Sequence, residues 1–479
     1  MKKIAHSILF SILFRITLGQ ERRLKMASIQ KRNKKYAVVY TYEDDEGRKK
    51  QKWESFGSYK EAKIRKSEVE NNMDKSVFIP PSTQNINDFL DLFIDLYGVK
   101  KWAPQTYESN LRLLDNYVRP IIGNIPIQKV NTLFIDKYYS DLLKTESVGN
   151  LIFHKKKNVS TGTVNQIHKL LKCAFNAALN WNLIGKNPFL SVDPPKHIYK
   201  KRQIWTSDMI IKALENCEDP KLSLCIHLSF ACSLRIGEIL ALQWKNVHIS
   251  DEDLEKEDAH LIVDRELTRA NVKALEALNY KDVYFVFPDK NPNHKYKTKM
   301  IIKKPKTESS IRKVWIPNTL ARILREWKTE QDKYKEFFGG EYTDYDLVVC
   351  FEDGRNCSES VIMKGLKRLI DSCDLPPIVF HSFRHTSTTY KLKMNHGDIK
   401  ATQGDTGHSQ ADMVTEIYSH ILDEDRKVNA QKMDDTFYKN FGDGIDHIPN
   451  AKKEVDIDSL VDALKQDPKL MTQLIEALK

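Results

Sequence analysis

The sequence predicts a multidomain α+β protein with a small β-ribbon domain, an all-α domain and a mixed α+β domain. The chain has 479 residues, which corresponds to two to four domains at roughly 100 to 200 residues each. Hydrophobic residues make up 41% and charged residues 29%, so the chain has enough apolar side chains for folded cores. The spacing of apolar residues also changes along the chain. A short β-like segment is followed by helical periodicity and then by a mixture of strand-like and helical patterns. These observations exclude a wholly disordered chain.

Residues 1–25 are predicted to be an upstream extension outside the fold. The apolar stretch 8–14 superficially resembles a secretory signal, but it is short and Arg15 interrupts it. Met26 then opens a strongly patterned segment, and we interpret it as the natural start of the protein.

Residues 26–70 are predicted to form a β-rich domain with a basic surface. The segment 36–42 (YAVVYTY) is rich in β-branched and aromatic residues, and 48–53 (RKKQKW) returns as a basic strand after a turn signal. A charged helix is expected over 59–70. Residues 1–80 carry 19 Lys+Arg and 10 Asp+Glu, and hence nine of the chain's eleven net positive charges.

This basic domain suits a polyanionic partner, and nucleic acid is the leading candidate. Lysines and arginines that neutralise phosphates supply most of the non-specific affinity for DNA, and a twisted β-ribbon fits a DNA groove. A surface hairpin with solvated lysines is the alternative. The residues predicted to contact DNA here are Arg48, Lys49, Lys50 and Lys52.

An all-α domain is predicted over 86–188, behind a linker at 71–85. Apolar residues recur at a period near 3.6 in three stretches of this domain. Pro120 is expected to end the second helix. Two lysines of the third helix would face either DNA or solvent, and they are Lys169 and Lys172.

A second linker, 189–203, leads into a larger mixed domain over 204–425. Thr206-Ser207-Asp208 offers an N-cap for a helix over 209–216. Strands are predicted at 260–267, 283–287, 300–303, 312–316 and 347–351, with helices around them. Residues 426–479 are a C-terminal tail with an apolar pattern near its end.

The spacing of the cysteines and the absence of cofactor motifs exclude several classes of protein. Seven cysteines, an odd number without Cys-x-x-Cys spacing, argue against a disulfide framework and a cysteine-based zinc site. The sequence has no P-loop, no Gly-rich dinucleotide turn and no H-E-x-x-H motif, so no metal and no other cofactor is expected. No apolar run reaches the ~18 to 20 residues that span a bilayer, so no membrane partner is expected. We therefore expect a cytoplasmic protein in a reducing compartment.

The side chains suited to chemistry lie in the 204–425 domain. In S-L-R-I-G-E, Arg235 stands at the start of an apolar helix, and Glu238 can hold its guanidinium while the fork faces an anion. In H-S-F-R-H, His381 and Arg384 are three apart and therefore neighbours on one helical face. Either pair, taken alone, also fits a purely structural role.

Three further groups complete the set. Lys306, in P-K-T-E-S-S, lies between two strand-like runs and is expected to project from a hairpin turn. Gly407-His408 follows the H-S-F-R-H motif, and Tyr418 comes ten residues after His408, within I-Y-S-H.

In this order, the pieces resemble the tyrosine recombinase family, and specifically phage and conjugative-transposon integrases. The resemblance covers most of the chain from Ser28 to Asp425. It implies an N-terminal arm-type DNA-binding domain, a helical core-binding (SAM-like) domain and a catalytic domain. It also implies a site-specific recombinase, independent of metal and ATP, that integrates and excises a mobile element. The implied partners are double-stranded DNA attachment sites, three further copies in a homotetramer on DNA, and an excisionase and DNA-bending accessory proteins.

The resemblance assigns a role to each side chain in this chemistry. Tyr418 would be the nucleophile that forms a covalent phosphotyrosyl bond. Arg235 and Arg384 would clamp the charge on the non-bridging oxygens. Lys306 would protonate the leaving 5′ oxygen. The supporting roles fall to His381 as proton acceptor or phosphate-orienting group, to His408 as hydrogen-bond donor, and to Glu238 as the residue that orients Arg235.

Some assignments stay open. Lys306 lies 71 positions after Arg235, and the insert 251–299 between them is either an elaborated loop or a different hairpin. Three other lysines therefore compete for the acid role: Lys303, Lys304 and Lys313. Tyr418 is preferred over Tyr390 as nucleophile because of its position after His408. The tail could pack on a neighbouring protomer. A chromosome-dimer resolvase, a DNA-binding regulator without cleavage and a relaxing topoisomerase are the alternative functions.

Overall fold

The structure is a computed structural model that describes most of the chain. It covers residues 27–32, 35–43, 47–74, 78–148, 158–197, 204–289, 291, 293–395 and 397–407, with helical residues at 465, 469 and 476. The predicted His408 and Tyr418, the extension 1–25 and all but these three residues of the tail lie outside the described residues.

The N-terminal module is a three-stranded antiparallel sheet with a helix on one face. The strand order is β1-β2-β3, and the elements are β1 (Ser28–Arg32), β2 (Lys35–Glu43), β3 (Lys49–Phe56) and α1 (Tyr59–Asp74). Val38, Tyr40 and Val69 belong to its small core. Arg65 of α1 donates to Glu54 of β3 at 2.7 Å, which fixes the helix against the sheet. Both predicted strands are confirmed, and β1 adds a third.

The second module is helical, as predicted. Its helices are α2 (Ile86–Phe93), α3 (Pro104–Leu113), α4 (Thr132–Leu142) and α5 (Thr161–Asn180), with short 3-10 turns at Ile127–Lys129 and Pro188–Leu190. The side chains of Asn85 and Ser160 cap α2 and α5 by accepting from the backbone N–H of Asp88 and Thr163. The apolar faces meet in one core, in which the rings of Phe89 and Phe175 lie 5.8 Å apart.

Two helices of this module contain a π-helical turn. The helix α2 continues through Ile94–Gly98 to Val99–Lys101, and α3 continues through Leu114–Val118 to Arg119–Ile122. The prediction that Pro120 ends the second helix is therefore wrong. The wide turn directly before Pro120 breaks the α-helical register where proline has no N–H to donate.

The third module combines helices with two small antiparallel sheets. The sheets have the orders β4-β5-β9 and β6-β8-β7. Their strands are β4 (Val247–His248), β5 (His260–Val263), β6 (Glu266–Asn271), β7 (Val283–Val286), β8 (Thr298–Lys303) and β9 (Arg312–Trp315). The helices are α6 (Ser207–Glu215), α7 (Pro220–Cys232), α8 (Ile236–Ala241), α9 (Asp251–Glu255), α10 (Val272–Ala277), α11 (Asn318–Phe338), α12 (Glu359–Cys373), α13 (His381–Met394) and α14 (Ile399–Thr406). Short 3-10 turns lie at Trp244–Asn246, Glu308–Ser310 and Gly339–Glu341.

Two strand predictions in this module are wrong. The single strand expected over 260–267 is two strands, β5 and β6, which belong to different sheets. The segment 347–351 is buried but forms only isolated bridges, from Leu347 to Gln243 and from Cys350 to Asn356. Apolar runs of this length fit buried extended chain as well as a strand, and periodicity alone does not separate the two.

The insert after α8 contains the second hairpin that the sequence left open, and it packs on the helical module. Ala274 of α10 and the neighbouring Leu278 are buried in the core of the helical module. Gln105 of α3 donates to the Thr268 hydroxyl at 3.2 Å, and Lys281 donates to the carbonyl of Lys100 at 2.9 Å. The two modules thus touch through this insert as well as being joined by the chain at 189–203.

All seven cysteines carry free thiols, and five of them are buried. Burial raises the pKa of Cys232 to about 12 and that of Cys350 to about 11, so these thiols stay protonated and unreactive at neutral pH. Among the helices that the structure describes, none is both long and apolar enough to cross a lipid bilayer.

Candidate active site

The first site motif lies at the turn from α7 to α8. Ser233 follows the end of α7 in the left-handed region, with φ 54°, and Arg235 is the N-cap residue of α8. Glu238, in the first turn of α8, accepts from the Arg235 backbone N–H at 3.0 Å and from its Nη1 at 2.7 Å. The predicted Glu238–Arg235 pair is therefore present in the structure.

A second guanidinium, which the sequence analysis did not select, shares the same carboxylate. Arg312 of β9 donates Nη2 to Oε2 of Glu238 at 3.1 Å and Nη1 to Oε1 at 3.3 Å. The side chain of Glu238 is only 2% exposed. Burial raises the pKa of this carboxyl, but the charges of Arg312 and Arg235 outweigh burial and hold the pKa below its ordinary value. Glu238 is therefore an ionised carboxylate between two arginines.

Arg384 is the buried cation of the site. It lies on α13, is 1% exposed, and donates Nη1 to the carbonyl of Ser233 and Nη2 to that of Thr406. Its Nε atom has no hydrogen-bond partner among the described residues. Burial, followed by the charge of Arg235, lowers the pKa of Arg384 to about 9, with Glu238 opposing both. Arg384 is thus charged at neutral pH and is held within the electrostatic field of Arg235 and Glu238.

His381 stands one helical turn before Arg384, as the sequence predicts. It is the first residue of α13 and is exposed, and its ring lies edge-on to the ring of His385, with 4.6 Å between the centroids. The helix therefore presents an imidazole at the surface, one turn before the buried Arg384.

Lys306 lies in the connection between β8 and β9, but this connection is not a hairpin turn. β8 pairs with β6 and β7, whereas β9 pairs with β5, so the chain crosses from one sheet to the other at Lys306. The predicted hairpin is wrong because β8 and β9 belong to different sheets and do not pair with each other. Lys306 is exposed and has no ion-pair partner in the described part of the chain.

The three competing lysines are all engaged in ion pairs. Lys303 is buried against Glu266. Lys304 lies 3.9 Å from Glu308, and Lys313 lies 2.9 Å from Asp258. These contacts favour Lys306 as the lysine that remains available to a ligand.

The chain leading to His408 is fixed by two arginines. α14 ends at Thr406, and Gly407 takes the left-handed conformation, with φ 63°. The carbonyl of Asp405 accepts from Arg312 Nε at 3.2 Å, and the carbonyl of Thr406 accepts from Arg384. Both guanidiniums thereby cap the negative end of this helix, which is where cations are favourable.

The alternative nucleophile Tyr390 has a structural role. Its hydroxyl accepts from the backbone N–H of Ser207 at 3.0 Å, and its ring packs against Phe230 with 5.8 Å between the centroids. These contacts tie α13 to α6 and α7.

The predicted DNA-contacting residues of the N-terminal module divide between two faces of the sheet. Lys52 pairs with Tyr40, which packs towards α1, whereas Trp53 pairs with the buried Val39 on the opposite face, which we call the open face because Trp53 is 40% exposed there. Alternation along β3 places Lys49 on the same open face as Trp53 and places Lys50 with Lys52. Arg32 stacks on the Trp53 ring at 5.1 Å, and this pair was not selected from the sequence. The other predicted contacts are the exposed Arg48 and Lys169 and the half-buried Lys172.

Comparisons with known proteins agree with this architecture. Residues 85–143 match the family model of the phage integrase, N-terminal SAM-like domain. A tyrosine recombinase XerC-like protein of Caldanaerobacter subterraneus subsp. tengcongensis is 26% identical over 416 residues, 84% of this chain and 96% of the relative. The ICEBs1 integrase of Bacillus subtilis is 22% identical over 334 residues, 69% of this chain and 78% of the relative.

The fold is also that of a solved integrase. The structure of the Tn1549 transposon integrase aligns with a TM-score of 0.54 and 18% identity, covering 73% of this chain and 99% of that chain. The resemblance to tyrosine recombinases and integrases that the motifs predicted is confirmed by the SAM-like domain match and by these relatives, and the Tn1549 structure shows that the fold is similar. The integrase of Staphylococcus phage L54a is also similar, with 23% identity over 214 residues, 44% of this chain and 51% of the relative.

Proposed function

We propose that this protein is a site-specific recombinase that integrates and excises a mobile genetic element through a 3′-phosphotyrosyl intermediate. The observation that carries the proposal is the cluster around the buried Glu238, which holds Arg235 directly, together with Arg384, which donates to the carbonyl of Ser233 two residues before Arg235. Two guanidiniums that are charged at neutral pH and linked through the backbone suit a phosphodiester whose non-bridging oxygens gain charge in the transition state.

The cleavage step conserves bond energy. The Tyr418 hydroxyl would attack the phosphorus in line, form an ester with the 3′ phosphate and release a 5′ hydroxyl. His381 would accept the tyrosine proton or orient the phosphate, Lys306 would protonate the leaving 5′ oxygen, and His408 would donate a hydrogen bond to the phosphate. A 5′ hydroxyl from another strand then reseals the ester, so the exchange needs neither ATP nor a metal ion.

The basic N-terminal module suggests how the protein would find its DNA. Its open sheet face carries Lys49, Trp53 and Arg32, a combination of cations and an aromatic ring that suits DNA. The helical module, with Lys169 and Lys172, would bind the core of an attachment site. The Tn1549 integrase was solved in complex with circular-intermediate DNA, which is the kind of substrate that we propose for this chain. We further propose a homotetramer on paired attachment sites, assisted by an excisionase and DNA-bending proteins.

A chromosome-dimer resolvase of the same chemistry is the second candidate, because one relative carries the name XerC-like. The N-terminal module favours an integrase, since a separate basic DNA-binding domain suits a protein that bridges distant DNA sites. DNA repeats that flank the gene would support an integrase, and they also provide the substrate for a direct test.

The test is the capture of a covalent protein–DNA adduct on a nicked suicide duplex built from those repeats. Wild-type protein should form the adduct, Tyr418→Phe should not, and the control Tyr390→Phe should form it, because that substitution removes only the structural bond to Ser207. Equal adduct yield from wild type and Tyr418→Phe would show that Tyr418 is not the nucleophile. DNA binding without any adduct would favour a regulator, and relaxation of non-specific plasmid would favour a topoisomerase.

A further inference from the structure

Arg312 has an unusual set of hydrogen bonds for a residue in a short strand. Its side chain is 6% exposed, and it donates to two oxygens of Glu238, to the Ser310 carbonyl at 3.0 Å and to the Asp405 carbonyl at 3.2 Å. Four separate N–H···O contacts thus arise from one guanidinium, which has five N–H groups in all.

Each acceptor of Arg312 belongs to a different part of the candidate site. Glu238 positions the backbone and side chain of Arg235. Ser310 ends the 3-10 turn that follows Lys306, and its hydroxyl lies 2.9 Å from the Thr307 hydroxyl. Asp405 lies three residues before His408, at the end of α14. Arg312 is therefore the described side chain that connects all three segments.

The backbone at Gly407 lies close to the side chain of Arg312. A Cβ atom added to Gly407 would lie 3.0 Å from Cδ of Arg312 and 3.1 Å from both Nε and Nη1. Gly407 also has a φ of 63°, a region that L side chains rarely adopt. The glycine before His408 thus permits both the helix end and the close approach of Arg312.

A direct contact between Arg312 and DNA phosphate does not fit this geometry. Four of its five N–H groups already have acceptors within the protein, whereas Arg384 donates to two carbonyls and its Nε has no partner among the described residues. Arg235 differs, because its side chain is 33% exposed and donates only Nη1 to Glu238. The two arginines that share one carboxylate therefore have different roles. Arg235 is exposed to a ligand, whereas Arg312 holds the surrounding segments in place.

We propose that Arg312 is a positioning residue for strand cleavage. It holds Arg235, the Lys306 segment and the chain before His408 in fixed positions relative to one another. The inference rests on the proposed function. It predicts that loss of Arg312 slows the chemical step on bound DNA, because small displacements of catalytic groups reduce rates steeply. Lysine cannot replace arginine here, since an ammonium is a point charge that cannot span four acceptors in different directions.

The test compares Arg312→Gln with Arg325→Gln on the suicide duplex. Arg325 is a matched control, because it forms a surface ion pair with Asp251 in which both side chains are exposed. We expect Arg312→Gln to lower the single-turnover adduct rate at saturating protein by about 100-fold, while the Kd for the duplex changes by less than about threefold. Arg325→Gln should match wild type in both quantities.

Arg312→Lys guards against simple unfolding of the glutamine variant, because it keeps a positive charge beside Glu238. It should lose less thermal stability than Arg312→Gln and, at a temperature where it is fully folded, cleave about tenfold more slowly than wild type, in keeping with a partly displaced site. Wild-type cleavage rates in Arg312→Lys, or a defect that lies entirely in Kd, would overturn the inference. Wild-type protein that forms no adduct would overturn the proposed function itself, so the two failures are distinguishable.

Discussion

Arg384 donates to the main-chain carbonyl of Ser233, two residues before Arg235, and so links the two candidate catalytic arginines through the backbone. Ser233 can offer that carbonyl because it ends α7 in the left-handed conformation. The second hydrogen bond of Arg384, to Thr406, extends the link to the chain that precedes His408. The buried arginine is therefore both a candidate phosphate ligand and part of the scaffold.

Arg384 is buried and bonded to two carbonyls, whereas Arg235 is partly exposed, so Arg235→Ala and Arg384→Ala should have different effects on stability. Both should reduce adduct formation by about 100- to 1,000-fold, since each removes a cation from the transition state. Arg235→Ala should leave stability nearly unchanged, because Glu238 keeps Arg312 as a partner. Arg384→Ala should destabilise the fold by about 2 kcal/mol or more, because two buried carbonyls lose their donor. Thermal unfolding beside the cleavage assay checks this; equal stability of the two variants would contradict it.

Lys306→Ala should slow cleavage by about 100-fold or more, the range expected when a general acid is lost. A substrate with sulfur in place of the bridging 5′ oxygen should restore the rate, because a thiolate leaves without a proton.

Lys303→Ala is the matched control for that experiment. This variant should be less stable, because Glu266 loses its buried partner. Its cleavage rate relative to wild type should be the same on the sulfur substrate as on the ordinary one. Rescue of Lys303→Ala instead of Lys306→Ala would move the acid role to Lys303.

Glu238→Gln should destabilise the protein by about 3 kcal/mol at pH 7, because two guanidiniums lose a buried carboxylate. The pKa of Glu238 lies below its ordinary value in the folded state, although burial opposes this, because Arg312 and Arg235 favour the charged form. The contribution of Glu238 to the free energy of unfolding is therefore complete above the unfolded pKa of about 4.3, and it is lost as the pH falls through the folded pKa. Unfolding midpoints of both proteins should converge below about pH 4, and a constant difference across that range would refute the assignment.

Lys49→Ala and Trp53→Ala should weaken binding to DNA recognised by the N-terminal module. Each phosphate contact that is lost should reduce the slope of log K against log salt by about 0.9, so Lys49→Ala should flatten the slope and Trp53→Ala should not. Lys63→Ala is the control, because Lys63 is exposed on α1, which covers the opposite face of the sheet. Titrations at several salt concentrations measure this, and an equal loss from Lys63→Ala would argue against the open face as the binding surface.

The sequence by itself determined the features that depend on short-range spacing. The Arg235–Glu238 pair, the His381–Arg384 helix and the N-cap at Thr206 all follow from contacts within one helical turn, and the structure contains each of them. The order of these motifs also carried the resemblance to tyrosine recombinases, because the motifs keep their order whatever the lengths of the segments between them.

Only the tertiary structure decided which distant segments meet. A strand pattern fixes which face a side chain occupies but not which strand lies beside it, so the pairing of β9 with β5 and of β8 with β6 was not predictable from alternation. That pairing places Lys306 between two sheets and brings Arg312 to Glu238, 74 positions earlier in the chain. Within β9, Arg312 lies on the same face as the buried Val314. The carboxylate that makes a buried arginine stable there comes from long-range packing, which local patterns do not encode.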